Sequence, residues 1–222
     1  MTHIVLVHGA FHGAWCFDPF VEVLRNRGIA CTTPELPLTS LAEDAAAVTR
    51  ALDRLDERVV LLGHSYGGAV VTVAGSHLAV ARLVLLAALA PDAGEPPNGG
   101  PLEISKTFLA ALRPSAGGPL EVDPTRAAGL FYPDAEPRAA AAAVARLRPG
   151  NTGAPGERIE RAAWRTRPTD YVVCADDPII LPASQRALAA RTGATVHEIP
   201  GDHSPFLARP EALADLILRI VG

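Results

Sequence analysis

The feature that most restricts the fold of this chain is a short glycine-flanked stretch, Gly63-His64-Ser65-Tyr66-Gly67, placed between an apolar run and a helical stretch. The four residues before it, VVLL, are typical of a buried strand, and the small residues after it predict a helix. A GxSxG sequence in this strand–turn–helix context forms a turn so tight that its flanking positions need glycine, and the turn exposes the serine hydroxyl at the carboxyl end of the sheet. The sequence therefore predicts an α/β sheet with Ser65 as a candidate nucleophile.

The rest of the chain repeats this alternation of apolar strands and helical stretches. Continuous apolar runs such as HIVLV near the N-terminus are typical of parallel strands that are buried on both faces. The predicted strands cover residues 3–7, 29–33, 59–62, 82–87, 170–174 and 195–199, and the predicted helices cover residues 18–27, 40–56, 66–78, 182–191 and 210–220. We therefore expect a single α/β domain over residues 1–222, with a mainly parallel sheet of about six strands flanked by helices.

One long segment, residues 92–168, interrupts the alternation. Proline and glycine accumulate there and no strand is predicted, but helical pieces can be placed at residues 102–112, 125–131 and 137–147. We interpret this segment as an excursion above the sheet within the same domain, since it lies between two strands of one predicted sheet.

A serine nucleophile at neutral pH needs a base, and the base needs an acid that orients it. Among the seven histidines, His203 follows the last predicted strand and lies at the same sheet edge as Ser65, so it is the predicted base. The loop after the strand at residues 170–174 offers two adjacent acids. Asp177 is the preferred acid and Asp176 is the alternative, because adjacent residues cannot both point at one imidazole. Asp202 ranks third among the candidates.

The loop after the first strand, residues 8–13 and called the first loop below, contains the remaining candidates. Its glycines let the backbone approach a substrate, so the N–H groups of Ala10 and Tyr66 are predicted to form an oxyanion hole. Phe11 and the Tyr66 ring are predicted to form an apolar wall that contacts the substrate, and packing in the core is the alternative for either ring. His8 and His12 are four residues apart, but without a third ligand we interpret them as shaping the loop and predict no metal site.

Composition excludes several other classes of protein. The 20 basic and 24 acidic residues give a net charge of −4, so the chain has no basic field that would bind nucleic acid or an anionic membrane. Its three cysteines lie far apart, which argues against a disulfide framework and a zinc site. No apolar run reaches the roughly 18 residues of a membrane span. We expect a soluble, cytoplasmic protein that acts on a small molecule, and the sequence leaves open whether it is a monomer or a homodimer.

Five motifs together resemble the methylesterase and hydroxynitrile lyase branch of the α/β-hydrolases: HGAFHGAW, GHSYGG, LFYPD with ARLRP, YVVCADDPIILP and GDHSPFLARPEAL. They cover nearly the whole chain in the order found in that branch. The resemblance implies a helical cap at about residues 92–168, no cofactor and a catalytic triad of Ser65, Asp177 and His203. It also favours Asp177 over Asp176, since the aspartate of the family lies a few residues before an "IP" or "LP".

Two positions depart from the lyases of this branch, which carry a lysine directly after the triad histidine and a threonine in the first loop. Here these positions are Ser204 and Ala10, which is the esterase pattern, and Ser204 is predicted to contact the substrate. The resemblance thus implies a serine hydrolase that acts on small or medium carboxylic esters through an acyl-enzyme. Two alternatives remain: the same triad in a lyase, a C–C hydrolase or a biosynthetic cyclisation, and a hydrolase-fold protein that binds a small ligand without turnover.

Overall fold

The centre of the molecule is a six-stranded sheet in which every neighbouring pair of strands is parallel. The computed structural model describes residues 3–116, 118–150 and 156–222. Its strands are His3–Val7 (β1), Ala30–Thr32 (β2), Val59–His64 (β3), Val80–Leu86 (β4), Leu112–Pro114 (β5), Leu120–Val122 (β6), Thr169–Cys174 (β7) and Thr195–Ile199 (β8). The sheet has the order β2-β1-β3-β4-β7-β8. The predicted fold class, a mainly parallel sheet of six strands, is confirmed.

Helices cover both faces of this sheet. They are Asp18–Asn26 (α1), Leu41–Leu52 (α2), Gly67–Ala74 (α3), Lys106–Leu109 (α4), Pro124–Phe131 (α5), Pro137–Val144 (α6), Pro182–Thr192 (α7), Pro205–Ala208 (α8) and Pro210–Val221 (α9). The apolar residues of α1, α8 and α9 form one core with the sheet, and those of α2, α3 and α7 form the other. Within the described ranges, no helix is long and apolar enough to cross a membrane.

The two cores explain the unbroken apolar run of β1 from Ile4 to Val7. In β1, Val5 and Val7 belong to the core under α2, α3 and α7, whereas Ile4 and Leu6 belong to the core under α1 and α9. Successive side chains of a strand point to opposite faces, so a strand with helices on both sides needs an unbroken apolar run. All four residues are completely buried.

The segment between β4 and β7 differs from the prediction in two respects. A helix was expected over residues 102–112, but α4 spans only Lys106–Leu109, and β5 begins three residues after it. β5 pairs antiparallel with β6, with Leu112 opposite Val122. The expectation that this segment contains no strand is therefore wrong: three-residue strands around a turn rich in Gly and Pro are too short to show a periodicity of two. Helices α5 and α6 lie within about three residues of the predicted ends.

Because all six strands run in the same direction, the loops at their carboxyl ends meet at one edge of the sheet. The first loop follows β1, the Ser65 turn follows β3, Asp177 follows β7 and His203 follows β8. The topology thus brings these four predicted parts of the site to the same edge.

Candidate active site

Ser65 occupies the turn between β3 and α3 in a left-handed backbone conformation, with φ at 53°. The turn leaves no room for side chains beside it: a Cβ on Gly63 would lie 2.6 Å from the Gly67 carbonyl oxygen, and a Cβ on Gly67 would lie 2.5 Å from the Val7 carbonyl oxygen. The glycines on both sides of Ser65 are therefore required by backbone contact. The turn places Ser65 at the start of α3.

The first loop passes directly over Ser65. A Cβ on Gly9 would lie 2.8 Å from the Ser65 Cβ, so only glycine allows this approach. Ala10 and Tyr66 both line the cavity beside Ser65, and their N–H groups donate no hydrogen bond within the described part of the chain. Two free backbone donors therefore flank the serine.

His203 lies in the loop after β8 and is held by Asp177. Its Nδ1 is 2.7 Å from the Asp177 Oδ2, and both side chains are buried. A carboxylate only accepts hydrogen bonds, so Nδ1 carries the proton and Nε2 of the neutral ring carries a lone pair. Nε2 is buried without a partner among the described residues, and His203 shares a cavity with Ser65.

The Asp177 carboxylate is held by three further donors. Its Oδ1 accepts hydrogen bonds from the N–H groups of Ile179 (2.7 Å) and Ile180 (3.1 Å), and its Oδ2 accepts one from the Gln185 Nε2 (2.8 Å). Four donors, including His203, thus surround a buried carboxylate, and hydrogen bonds to the charged form stabilise it. They also fix the direction in which the carboxylate faces the imidazole.

The neighbouring Asp176 is placed differently. Its side chain is exposed, and its Oδ2 accepts one hydrogen bond from the N–H of Gly201 at 3.1 Å. It therefore ties the loop after β7 to the loop after β8 but does not contact the imidazole. The third candidate, Asp202, accepts hydrogen bonds from the N–H groups of Asp134 (3.0 Å) and Ser204 (2.8 Å). Burial raises its pKa.

His12 supports the first loop from within. Its Nδ1 donates to the Ala10 carbonyl oxygen at 2.8 Å, and its Nε2 accepts from the Tyr132 hydroxyl at 2.7 Å. Burial lowers the pKa of His12 to about 3, so the ring is neutral and supplies the one donor and one acceptor that these bonds require. In the described ranges, no three His, Cys, Asp or Glu side chains come together in a group that could hold a metal ion.

His8 and His64 are also neutral supports. Burial lowers the pKa of His8 to about 4; its Nδ1 donates to the Gly9 carbonyl oxygen (2.9 Å) and its Nε2 accepts from the N–H of Leu36 (3.0 Å). Burial also lowers the pKa of His64 well below its usual value, and its Nε2 donates to the carbonyl oxygen of His203 at 2.8 Å. His64, the residue before Ser65, therefore holds the backbone of His203.

A cavity of about 300 Å³ opens above Ser65 and His203. Its wall is mostly apolar, and the described residues that line it include no Asp, Glu, Lys or Arg. Beyond the sheet edge, the wall consists of Leu89, Asn98, Ile104, Phe108, Leu109, Leu112, Leu120, Phe131, Ile179 and Ile180. Most of these residues belong to the 92–168 segment, which therefore supplies one side of the cavity.

The predicted wall residues differ in position. Phe11 and Tyr66 line the cavity, and Phe11 packs edge-on against Phe108 with the ring centres 6.3 Å apart. Ser204, in contrast, is completely buried and is not among the lining residues. Its backbone N–H donates to the Asp202 Oδ1 at 2.8 Å, just before α8. The structure therefore does not place Ser204 where a substrate would contact it.

This arrangement can be compared with known proteins. A model of the alpha/beta hydrolase family matches residues 4–216. The chain belongs to this family. The resemblance to the α/β-hydrolases inferred from the five motifs is thereby confirmed, and the predicted fold is that of the family.

The relatives of this α/β hydrolase include esterases. It is 33% identical over 130 residues to a carbendazim hydrolyzing esterase of Nocardioides sp. (strain SG-4G), an alignment that covers 49% of this chain and 53% of that esterase. It is 26% identical over 275 residues to methylesterase 2 of Arabidopsis thaliana, covering 98% of this chain and 95% of the relative. A crystal structure of polyneuridine aldehyde esterase matches it with a TM-score of 0.86 at 21% identity, covering all of both chains. The structural match shows the fold, and the two sequence relatives named as esterases support the predicted class, an enzyme that acts on esters.

Three residues that contact the site of this α/β hydrolase were not singled out from the sequence. Gln185 on α7 holds Asp177, and Asp44 on α2 accepts a hydrogen bond from the Tyr66 hydroxyl at 2.8 Å. Arg148, in the 92–168 segment, contacts the first loop. The signal for Arg148 was present, since it lies in the ARLRP motif, whereas nothing in the local sequence distinguishes Gln185 or Asp44.

Proposed function

We propose that the protein is a cofactor-independent serine hydrolase that cleaves carboxylic esters, with Ser65, His203 and Asp177 as its catalytic triad. The observation that carries this proposal is the free Nε2 of His203 in the cavity that Ser65 lines, on a ring whose Nδ1 is fixed by Asp177. A base in this tautomer can take a proton from a serine hydroxyl, which is otherwise a weak nucleophile at neutral pH.

In the first half of the reaction, the Ser65 Oγ attacks the ester carbonyl carbon while His203 Nε2 accepts the hydroxyl proton. Asp177 stays ionised and stabilises the imidazolium. The tetrahedral intermediate then collapses, the C–O bond to the alcohol breaks, and the proton passes from His203 to the leaving alkoxide. The acyl group remains on Ser65.

The N–H groups of Ala10 and Tyr66 form the oxyanion hole in this mechanism. Both are unbonded in the described chain and flank Ser65, so they are available for the negative charge that develops on the carbonyl oxygen. Water then attacks the acyl-enzyme, with His203 as the base, and the carboxylic acid leaves. The positive end of the α3 dipole lies beside the same oxygen.

The 92–168 segment acts as a cap in this proposal, because it supplies most of the apolar wall above Ser65. The cavity of about 300 Å³ suits an uncharged ester of small or medium size, with Phe11 in contact with the substrate. The relatives named as esterases support this choice of reaction. The cytoplasmic location stays a prediction of the sequence, and the choice between monomer and homodimer stays open.

The test is a panel of short-chain, aryl and methyl esters assayed with the wild-type protein and with Ser65→Ala. We expect Ser65→Ala to lower kcat by about 10⁶, because removal of a triad nucleophile eliminates the acyl-enzyme route. The variant should fold normally, since alanine adopts the Ser65 backbone no worse than serine. Ser76→Ala, an exposed serine after α3, is the matched control and should keep full activity.

Two results would contradict the proposal. Activity of Ser65→Ala within tenfold of the wild type would show that another group is the nucleophile. A wild-type protein that is inert toward every ester, although a fluorophosphonate probe labels Ser65, would favour a lyase, C–C hydrolase or cyclisation reaction at the same triad.

A further inference from the structure

The first loop contains no helix or strand, and its shape is set by what its carbonyl groups contact. The Ala10 carbonyl oxygen accepts from the His12 Nδ1 at 2.8 Å. The Phe11 carbonyl oxygen accepts from the backbone N–H of Arg148 at 2.9 Å, and the His12 carbonyl oxygen accepts from the Arg148 Nε, also at 2.9 Å. One residue of the 92–168 segment therefore binds two consecutive peptide groups of the loop.

The other end of the Arg148 guanidinium reaches the segment that follows β2. Its Nη2 donates to the carbonyl oxygen of Leu36 and pairs with the carboxylate of Glu35. The second oxygen of that carboxylate accepts from the N–H of Ala14, just beyond the first loop, at 2.8 Å. A planar guanidinium with five donors can make these contacts at once, whereas an ammonium group has no comparable fork.

The loop needs such support because Phe11 has a φ of 65°. A left-handed conformation is strained for a residue with a Cβ, by about 1–3 kcal/mol, and it persists only where the surroundings hold it. Arg148 binds the peptide groups on the C-terminal side of this strained residue. His8 binds the carbonyl oxygen of Gly9 on its N-terminal side.

These contacts restrict the direction in which the N–H of Ala10 points. In a trans peptide the C=O of one residue and the N–H of the next point in opposite directions. With the Gly9 carbonyl held by His8 and the two peptide groups after Phe11 held by Arg148, the loop has little freedom to rotate the Ala10 N–H away from Ser65. We propose that Arg148 is a positioning residue that holds the first loop in the conformation required for the oxyanion hole. This inference rests on the proposed ester hydrolysis at Ser65.

The test compares kcat and KM of Arg148→Met with those of the wild type. Methionine keeps the length and apolar stem of arginine but donates no hydrogen bond. We expect kcat to fall by about 10- to 100-fold, less than the 10²–10³ that follows complete loss of an oxyanion donor, while KM stays nearly unchanged. The matched control is Arg167→Met: this half-buried arginine also donates to backbone carbonyls, those of Gly75, Ser76 and His77, but lies outside the cavity wall. Its kcat should equal that of the wild type.

A second measurement distinguishes a specific effect of Arg148 on the first loop from a general destabilisation of the structure. An aryl trifluoromethyl ketone binds a serine hydrolase as a tetrahedral oxyanion, whereas the amide of the same aryl acid resembles the ground state. In Arg148→Met, inhibition by the ketone should weaken in parallel with kcat, and inhibition by the amide should not change. An unchanged kcat, or equal weakening of both inhibitors, would overturn the role of Arg148.

The variants also separate this inference from the proposed function. If Ser65→Ala keeps the activity of the wild type, the proposed function fails; if Ser65→Ala is inactive but Arg148→Met has the wild-type kcat, only the role of Arg148 fails. Should Arg148→Met not fold, Arg148→Lys replaces it, because lysine retains the charge and can reach one carbonyl but not all of them. A lowered kcat at unchanged KM is expected for lysine as well, and a wild-type kcat would overturn the inference.

Discussion

At the scale of single residues, the two adjacent aspartates after β7 show how burial assigns different roles to the same side chain. Asp177 is 2% exposed and accepts four hydrogen bonds, one of them from the His203 ring. Asp176 is exposed and accepts one, from a backbone N–H. Only Asp177 can fix the tautomer of the imidazole.

We expect Asp177→Asn to reduce kcat by about 10⁴ and Asp176→Asn to cause a far smaller loss. An asparagine at position 177 can present its NH₂ group to Nδ1, and this favours the tautomer whose proton is on Nε2, where it cannot accept the serine proton. Both substitutions remove one charge and keep the shape of the side chain, so each is the control for the other. Steady-state kinetics of the two variants would detect the difference, and a reversed order would move the orienting role to Asp176.

At the scale of secondary-structure elements, the position of α3 depends on direct contact between backbones. A Cβ on Gly68, the second residue of α3, would lie 2.2 Å from the Leu89 carbonyl oxygen. Gly67 meets the carbonyl oxygen of Val7 in the same way. The helix therefore approaches β1 and the segment after β4 more closely than any residue with a side chain would allow, and this approach fixes the turn that holds Ser65.

Gly68→Ala should destabilise the protein by about 1–3 kcal/mol, the usual cost of forcing additional atoms into a well-packed interior. The matched control is Gly129→Ala in α5, where nothing lies within 4 Å of the added Cβ. That substitution should stabilise the protein by about 0.5–1 kcal/mol, since alanine favours the helix. Urea unfolding of both variants measures the two effects, and a Gly68→Ala protein as stable as the wild type would show that α3 can move.

At the scale of the whole molecule, the sheet was predictable because each strand carries its own signal. The predicted bounds of β1 and β8, His3–Val7 and Thr195–Ile199, are those of the structure. The hairpin of β5 and β6 was missed because its pairing is a contact between two short segments that have no pattern of their own. The predicted end of α2 lies four residues after the observed end at Leu52, because the apolar pattern does not show where the helix stops.

In the candidate site, too, the residues in local motifs were predictable and the long-range contacts were not. Ser65 and the two glycines beside it form a local motif, and the topology of parallel strands indicates which histidine and aspartates share its edge. Arg148 lies in the ARLRP motif, but its contact with the first loop could not be inferred from that motif, since it binds His12 across 136 residues of sequence. Contacts of that kind depend on how the 92–168 segment folds over the sheet, which no local pattern specifies.

The whole molecule also carries several buried neutral histidines, and these couple its stability to pH. In the unfolded chain a histidine titrates near pH 6.5, whereas burial lowers the pKa of His8 to about 4 and that of His12 to about 3. Between these values the unfolded chain binds protons that the folded protein does not. The stabilisation is therefore complete above pH 6.5 and is lost progressively as the pH falls toward 4 for His8 and toward 3 for His12.

At pH 5 each of these two histidines should lower the free energy of unfolding by about 2 kcal/mol relative to pH 7. Burial raises the pKa of Asp44 and of Asp202, and these carboxyls act in the opposite direction. A comparison with His12→Gln isolates one imidazole, since both carboxyls are present in both proteins. Glutamine does not titrate, so between pH 6 and 5 the free energy of unfolding of the variant should decline less steeply than that of the wild type, by about 1 kcal/mol per pH unit. Urea unfolding at a series of pH values measures both slopes, and equal slopes would mean that His12 takes up a proton in the folded protein as readily as in the unfolded chain.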